Sequence, residues 1–220
     1  MNAPPRSGQI GAIGLYGDRL RTSYGSAGGW DAFGPKRKVT RSNGRVLYSL
    51  DGEPALDLYT RYLGDEAEGL PMTGLYYPMS VRTEQAGSKV VVRTLLAVDN
   101  TEKSITFAGS IPEGATVQLM HGAHERLVDG ASDAGRQAWA GMNNDASQDV
   151  LTLLISCVGR RLLMTQRCED EVDAVGTNLG DRSMMIGMHS FGELTPNADD
   201  GKCELQNQTM TIMCISETLT

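Results

Sequence analysis

A nearly all-apolar stretch from Val150 to Val158 constrains the fold more than any other feature of this sequence. A run of this length without alternation suits a β-strand that is covered on both faces. Gly159 to Arg161 then opens a predicted helix, in which apolar residues from Met164 to Leu179 recur three or four positions apart. This unit of strand and amphipathic helix indicates a layered fold.

The first fifty residues are rich in glycine and are predicted to form strands joined by turns. The earliest of these segments is the apolar stretch from Ile10 to Tyr16. Asn43 and Gly44 separate two further segments and predict a hairpin with a type I′ turn, because both residues tolerate positive φ angles.

A helix is predicted next, with Asp51 as its N-cap, Pro54 in its first turn and Gly64 at its end. Strand patterns return from Gly74 to Met120, and a second helix is predicted near residues 121–142. Two further strands are expected near residues 183–191 and 204–215. The predicted fold class is therefore α+β, with mixed, largely antiparallel sheets and helices packed on their faces.

Charge and hydropathy exclude several classes of function. The net charge of -7 argues against nucleic-acid or anionic-membrane binding, since both depend on clustered Lys and Arg. No apolar run reaches the roughly 18 to 20 residues that span a bilayer, and no secretion signal opens the chain, so no membrane insertion is expected. The four cysteines show no Cys-x-x-Cys spacing and are expected to be reduced thiols of a cytoplasmic protein.

The most informative polar residues lie in the last third of the chain. Asn207 and Gln208 open the final strand and need partners if buried, either from a neighbouring loop or from a polar ligand. Arg160 stands at a helix start next to Cys157, where a bound anion would offset its charge. The alternative is that an acid such as Glu169 or Asp170 pairs with it.

A second candidate is the glycine-flanked segment from Gly187 to Glu193, which includes Ser190. Glu193 could hold an ammonium group, or the segment could be a tight turn with Glu193 in water. His121 and His124 have the i, i+3 spacing of a helical metal pair, but no third ligand accompanies them. No catalytic or nucleotide-binding motif is present, so the chain is not expected to be an enzyme.

Three long stretches, read in order, resemble the FIST family. They are LTLLISCVGRRLLMTQRCEDE (Leu151–Glu171), IGMHSFGEL (Ile186–Leu194) and CELQNQTMTI (Cys203–Ile212). The resemblance covers the chain from about Gly11 onward. It assigns residues 1–50 to the tail of a FIST N-terminal domain and residues 51–220 to a FIST C-terminal domain.

The resemblance implies a bacterial-type intracellular sensory module for signal transduction that binds amino acids or related metabolites. The implied partners are histidine kinases, chemoreceptors or cyclic-dinucleotide enzymes. Some family members are haem-binding nitric-oxide sensors, which makes His189, His121 and His124 candidate haem ligands. A third alternative is a ligand-free docking module with a bare apolar face, which would form a homodimer or bind another chain.

For the small-ligand alternative we expect one pocket near the ends of the terminal strands. Arg160 and backbone amides would bind the carboxylate of an α-amino acid, and Glu193 would bind its ammonium group. The residues predicted to line this site are Arg160, Glu193, Asn207, Gln208, Ser190 and Cys157.

Overall fold

A computed structural model of the chain describes residues 4, 6–83, 90–143, 149–196 and 203–218. The strands are β1 (Leu20–Ala27), β2 (Asp31–Asn43), β3 (Val46–Leu50), β4 (Glu53–Pro54), β5 (Met79–Arg82), β6 (Val91–Arg93), β7 (Leu95–Asp99), β8 (Ser104–Phe107), β9 (Thr116–His121), β10 (Val150–Cys157), β11 (Ser183–Ser190), β12 (Glu193–Pro196), β13 (Cys203–Gln206) and β14 (Met210–Glu217). The α-helices are α1 (Ala55–Leu63), α2 (His124–Gly141), α3 (Val158–Met164) and α4 (Cys168–Gly176).

Over the described ranges these strands form two main sheets and one separate pair. The large sheet has the order β6-β5-β9-β2-β3-β8-β7, with β4 beside β3, and all its pairs are antiparallel. The small sheet has the order β1-β14-β10-β11, in which β10 and β11 run parallel. β12 and β13 form the antiparallel pair. The predicted α+β class with mixed, largely antiparallel sheets is confirmed.

The hairpin of β2 and β3 confirms the signal at residues 43–44, with Asn43 opposite Val46. Its turn differs from the prediction, because the two loop residues are Gly44 and Arg45. Gly44 has a φ of 55°, while neither Asn43 nor Arg45 adopts positive φ. One glycine at the first loop position is the pattern of a type II′ turn, so the predicted type I′ turn is wrong.

The helix predicted from Asp51 begins later, as α1 at Ala55, and ends as expected before Gly64. Asp51 instead lies in the turn before β4, where its carboxylate accepts a hydrogen bond from the backbone N–H of Lys38 at 2.9 Å. α1 packs on the large sheet and completes its core. Fully buried side chains of that core include Leu47, Leu58, Tyr59, Ile105 and Phe107.

Helices α2 and α4 pack on the small sheet from one side. α2 approaches the backbone of β1 so closely that a Cβ on Gly25 would lie 2.1 Å from the carbonyl oxygen of Ala134. Glycine is therefore required at this contact. The side chains enclosed there include Ala131, Ala134, Ala138, Ile212 and Cys214.

Three local predictions are wrong. The segment from Ile10 to Tyr16 is exposed and forms no strand. β10 is covered on one face only, since Leu151 on the other face is 39% exposed. The helix predicted from Gly159 breaks at Thr165, whose φ of 51° leaves the helical region, and α4 continues beyond a 3-10 turn.

Among the described residues, no helix combines the length and the apolar character that crossing a membrane requires.

Candidate functional site

A bend at residues 207–209 interrupts what the sequence predicted as one terminal strand, and it organises the site. Gln208 occupies the left-handed region with a φ of 61°, which is unusual for a residue with a side chain. The bend lies against the junction of β10 and α3, where the N–H of Cys157 donates to the carbonyl oxygen of Thr209 at 3.1 Å. The predicted polar residues therefore meet at one end of the small sheet.

Arg160 is fully buried at this junction. Its Nε donates to Glu171 Oε1 at 2.7 Å, and its Nη2 donates to the same oxygen and to Leu127 O at 2.6 Å. Its Nη1 donates to Gly28 O at 2.6 Å and to Gln208 O at 3.2 Å. These bonds use all five N–H groups of a guanidinium, so none is left for the carboxylate of a ligand.

Glu171 is thus the acid that offsets the charge at the start of α3, in place of the expected anion or of Glu169 and Asp170. The break at Thr165 separates α3 from α4, and Glu171 of α4, only 1% exposed, reaches Arg160. Asp170 pairs instead with the exposed Arg167.

Glu193 is also buried, and two hydroxyl groups of the chain contact its carboxylate. Ser190 Oγ donates to Oε1 at 2.5 Å, and Thr209 Oγ1 donates to Oε2 at 3.0 Å. Burial raises the pKa of Glu193, while these two hydrogen bonds and the charge of Arg160 act in the opposite direction. Burial, together with the charge of Glu193, also raises the pKa of the Cys157 thiol.

Three buried polar atoms beside this bend have no hydrogen-bond partner among the described residues: Asn207 Oδ1, Gln208 Oε1 and Ser156 Oγ. The amide nitrogens of the same side chains are used, since Asn207 Nδ2 donates to Gln206 O and Gln208 Nε2 donates to Leu75 O. An unsatisfied buried acceptor costs about 1 to 3 kcal/mol, so three together are an unusual concentration of unused hydrogen-bond acceptors.

A cavity of about 320 Å³ opens between the two main sheets, next to the bend. We call it the junction cavity. Thr209 belongs both to its wall and to the hydrogen-bonded group around Glu193. Among the residues that the structure describes, the lining carries no charged side chain and consists of Tyr24, Ser26, Ala27, Gly28, Gly29, Trp30, Val90, Val92, Met120, Gln137, Thr195, Pro196, Gln206 and Thr209.

Trp30 lines the junction cavity and is held in place by its neighbours. Its Nε1 donates to Gln208 O at 2.9 Å, and a Cβ on Gly28 or Gly122 would collide with its ring. The sequence interpretation did not select Trp30, although the glycines that precede it signalled a close approach. It also missed Thr195, because the fold alone brings the β12–β13 pair beside β6.

The structure thus brings the six predicted site residues together, but most of them hydrogen-bond to one another instead of facing a ligand. Arg160, Glu193 and Cys157 are buried at this end of the small sheet and Ser190 is half-buried, and none of the four lines the junction cavity.

The three histidines lie in separate places. His121 ends β9 and contacts the ring of Tyr77, whereas His124 starts α2 with its Nε2 2.9 Å from Leu163 O. The i, i+3 interpretation requires both histidines to lie on one helix, and they do not. His189 lies on β11 beside a second cavity of about 260 Å³, and burial lowers its pKa. The described residues contain no group of three or more side chains that could hold a metal ion.

Comparison with protein families gives two adjoining matches. The model of the FIST C domain matches residues 55–196, which is more than half of the chain, and the model of the FIST N domain matches residues 2–53. The chain belongs to the FIST family. FIST domains are sensory domains of signal transduction. No curated protein and no solved structure matches this chain.

Both FIST matches contribute to the same architecture. β2 and β3, from the FIST N match, pair with β9 and β8 of the FIST C match in the large sheet. The junction cavity has walls from both, with Trp30 on the N side and Thr195 on the C side. The FIST C match ends at Pro196, so the bend at residues 207–209 lies beyond it.

Proposed function

We propose that this FIST chain is a sensory module that binds a small ligand in the junction cavity, and that the ligand is an amino acid or a related metabolite. The observation that carries the proposal is the cavity itself, which lies between the two main sheets and reaches Glu193 through Thr209. Its volume of about 320 Å³ lies at the small end of the range for ligand pockets.

The lining suits a compact molecule with several polar groups. Thr195, Gln206 and Gln137 offer hydroxyl and amide groups, while Tyr24 and Trp30 supply flat apolar walls. With Arg160 engaged, a ligand carboxylate would be bound by these neutral donors. The carboxylate of Glu193, held behind Thr209, would attract a ligand ammonium group through its charge, without touching it.

Signalling follows from the position of the cavity. A ligand there would contact β1 and the β12–β13 pair together with β6 and β9 of the large sheet. It would stabilise one arrangement of the two sheets over others, and a partner that binds that arrangement would report the ligand. The proposal includes a cytoplasmic setting, action by binding without catalysis, and partners such as a histidine kinase, a chemoreceptor or a cyclic-dinucleotide enzyme.

The test is a thermal-shift screen of the protein amino acids, followed by calorimetric titration of any that bind. A ligand at a hundredfold excess over its Kd raises the free energy of unfolding by about 2.7 kcal/mol. Thr195→Val and Gln206→Leu should each weaken binding about five- to tenfold, the loss expected for one hydrogen bond. Thr101→Val, in an exposed turn, is the control and should bind normally.

Two results would refute the proposal. One is the absence of any shift or heat with every amino acid of the screen. The other is an amino acid that binds Thr195→Val and Gln206→Leu as tightly as it binds the Thr101→Val control.

A further inference from the structure

A second cavity, of about 260 Å³, lies at the edge of the small sheet. β11 is the edge strand, and α4, which lines the opposite side of the cavity, packs mainly against α2. The space between α4 and β11 is therefore only partly filled, and we call it the sheet-edge cavity. Among the described residues it has no lining residue in common with the junction cavity.

Gly187 leaves room for the sheet-edge cavity. In β11, Met185, Gly187 and His189 lie on one face of the strand and line the cavity. Their partners in β10 on the same face include Leu154 and Ser156, which are both buried. A Cβ at position 187 would lie 2.3 Å from the carbonyl oxygen of Leu154, so a larger residue is excluded there. The middle of this row therefore has no side chain, and the space in front of it stays open.

Two polar side chains line the cavity next to each other. Ser156 lies opposite His189 in the register and is 5% exposed, and its Oγ has no hydrogen-bond partner among the described residues. A buried hydroxyl group without a partner is rare. His189 is half-buried, and burial lowers its pKa, so its ring is neutral at physiological pH and one ring nitrogen can accept a hydrogen bond. The hydroxyl group and the ring can together bind one polar group of a ligand.

Side chains that contain sulfur form much of the remaining wall. Met210 of β14 lies opposite Ser156, Met185 lies on β11, and Cys168 begins α4. Methionine sulfur makes favourable contacts with aromatic rings, and the flexible methionine side chain adapts to the shape of a ligand. This wall therefore favours an aromatic ligand over an aliphatic one.

The charges around the cavity disfavour an ionic ligand. Among the described residues, its lining includes Glu169 and Glu171 but no Lys or Arg. Glu171 is already paired with Arg160, and Glu169 is exposed to water. A carboxylate or a phosphate would be repelled, and a cation would give up its hydration for carboxylates that are already paired or hydrated. A neutral ligand fits these surroundings best.

We propose that the sheet-edge cavity binds a small neutral aromatic molecule that carries one O–H or N–H group, such as a phenol or an indole. The polar group binds Ser156 and His189, and the ring lies against Met185 and Met210. A cavity of about 150 Å³ is enough to hold benzene, so about 260 Å³ accommodates a substituted ring or two fused rings. The site is separate from the junction cavity, and neither proposal depends on the other.

The test is calorimetric titration of the whole chain with p-cresol and with indole. Both should bind with a Kd of about 1 mM or lower, as small ligands with few atoms do. Toluene has the shape of p-cresol without the hydroxyl group and should bind about five- to tenfold more weakly, the loss expected for one hydrogen bond. 4-Methylbenzoate carries a negative charge and should not bind at the same concentration.

Two variants locate the binding site. Ser156→Ala removes a hydroxyl group that has no partner in the free chain, so stability in urea should not fall, while p-cresol should bind about five- to tenfold more weakly. Ser110→Ala, at an exposed serine, is its control. Val172→Trp places a large ring in the cavity and should abolish binding. Leu96→Trp, at a similarly exposed residue of β7 that lines neither cavity, should bind normally.

Three results would overturn the proposal. The first is the absence of binding by both p-cresol and indole up to about 10 mM, ten times the highest Kd expected. The second is p-cresol that binds Val172→Trp as tightly as it binds Leu96→Trp, with circular dichroism showing that both variants are folded. The third is p-cresol binding that is lost in Thr195→Val, since that residue lines the junction cavity and the ligand would then occupy the other site.

Discussion

Replacing Arg160 by Met is expected to be among the most damaging single substitutions in this chain. The substitution leaves Glu171, only 1% exposed, as an unpaired buried charge, and such a change costs about 3 to 5 kcal/mol. Three carbonyl oxygens, on Gly28, Leu127 and Gln208, lose a donor as well, at about 1 kcal/mol each. We expect a loss of at least about 4 kcal/mol, against a typical domain stability of about 5 to 15 kcal/mol.

The assay is urea unfolding followed by circular dichroism, compared with two further variants. In the double variant with Arg160→Met and Glu171→Leu the orphaned charge is gone, so only the carbonyl losses of about 3 kcal/mol should remain. Arg167→Met removes two ion pairs, with Asp170 and Glu125, that water screens because all three side chains are exposed, and it should leave the midpoint nearly unchanged.

The reasoning would be refuted in either of two ways. Arg160→Met could cost less than about 1 kcal/mol, which would mean that its hydrogen bonds contribute little net stability. Alternatively, the double variant could be no more stable than the single one. The unpaired charge would then not be the cause of the loss.

Two other predictions concern positions described above. Burial raises the pKa of Glu193, so the folded state keeps that proton to higher pH than the unfolded chain, and stability should fall as pH rises above the ordinary value of 4.5. Glu193→Gln should lack this decline in urea unfolding from about pH 4.5 to 8, and equal pH profiles would contradict the assignment. Gly25→Ala should lose about 1 to 3 kcal/mol through its clash with the carbonyl of Ala134, a loss measured by thermal unfolding. Gly11→Ala, which meets no atom within 4 Å, should lose none, and an equal loss there would show that the clash with Ala134 is not the cause.

The predictions that succeeded rest on short-range signals. Gly44 produces a hairpin through its own backbone freedom, and Gly64, with a φ of 58°, ends α1 where the sequence predicted. Both signals act within a few residues, so neighbouring sequence is enough to read them. The turn type and the helix start were wrong because each depends on one or two residues at a boundary.

The candidate site was harder to predict because distant residues complete it. Arg160 was predicted to bind an anion, whereas in the structure it pairs with Glu171, which lies beyond the break at Thr165. No local sequence pattern signals that break. The junction cavity exists because β1 and β2 enter different sheets on either side of Trp30. Such placements depend on the tertiary fold, which the spacing of residues along the chain does not record.

The pairing of β1 with β14 has a consequence for the order in which the protein can assemble. Leu20 lies opposite Glu217, so this contact joins residues nearly the whole length of the chain apart. A ribosome releases everything that the large sheet needs once residue 121 has emerged, and that sheet can form from a contiguous stretch. β1 is synthesised before it, yet has no neighbouring strand until β14 is made. β1 is therefore among the last strands to pair with a neighbour.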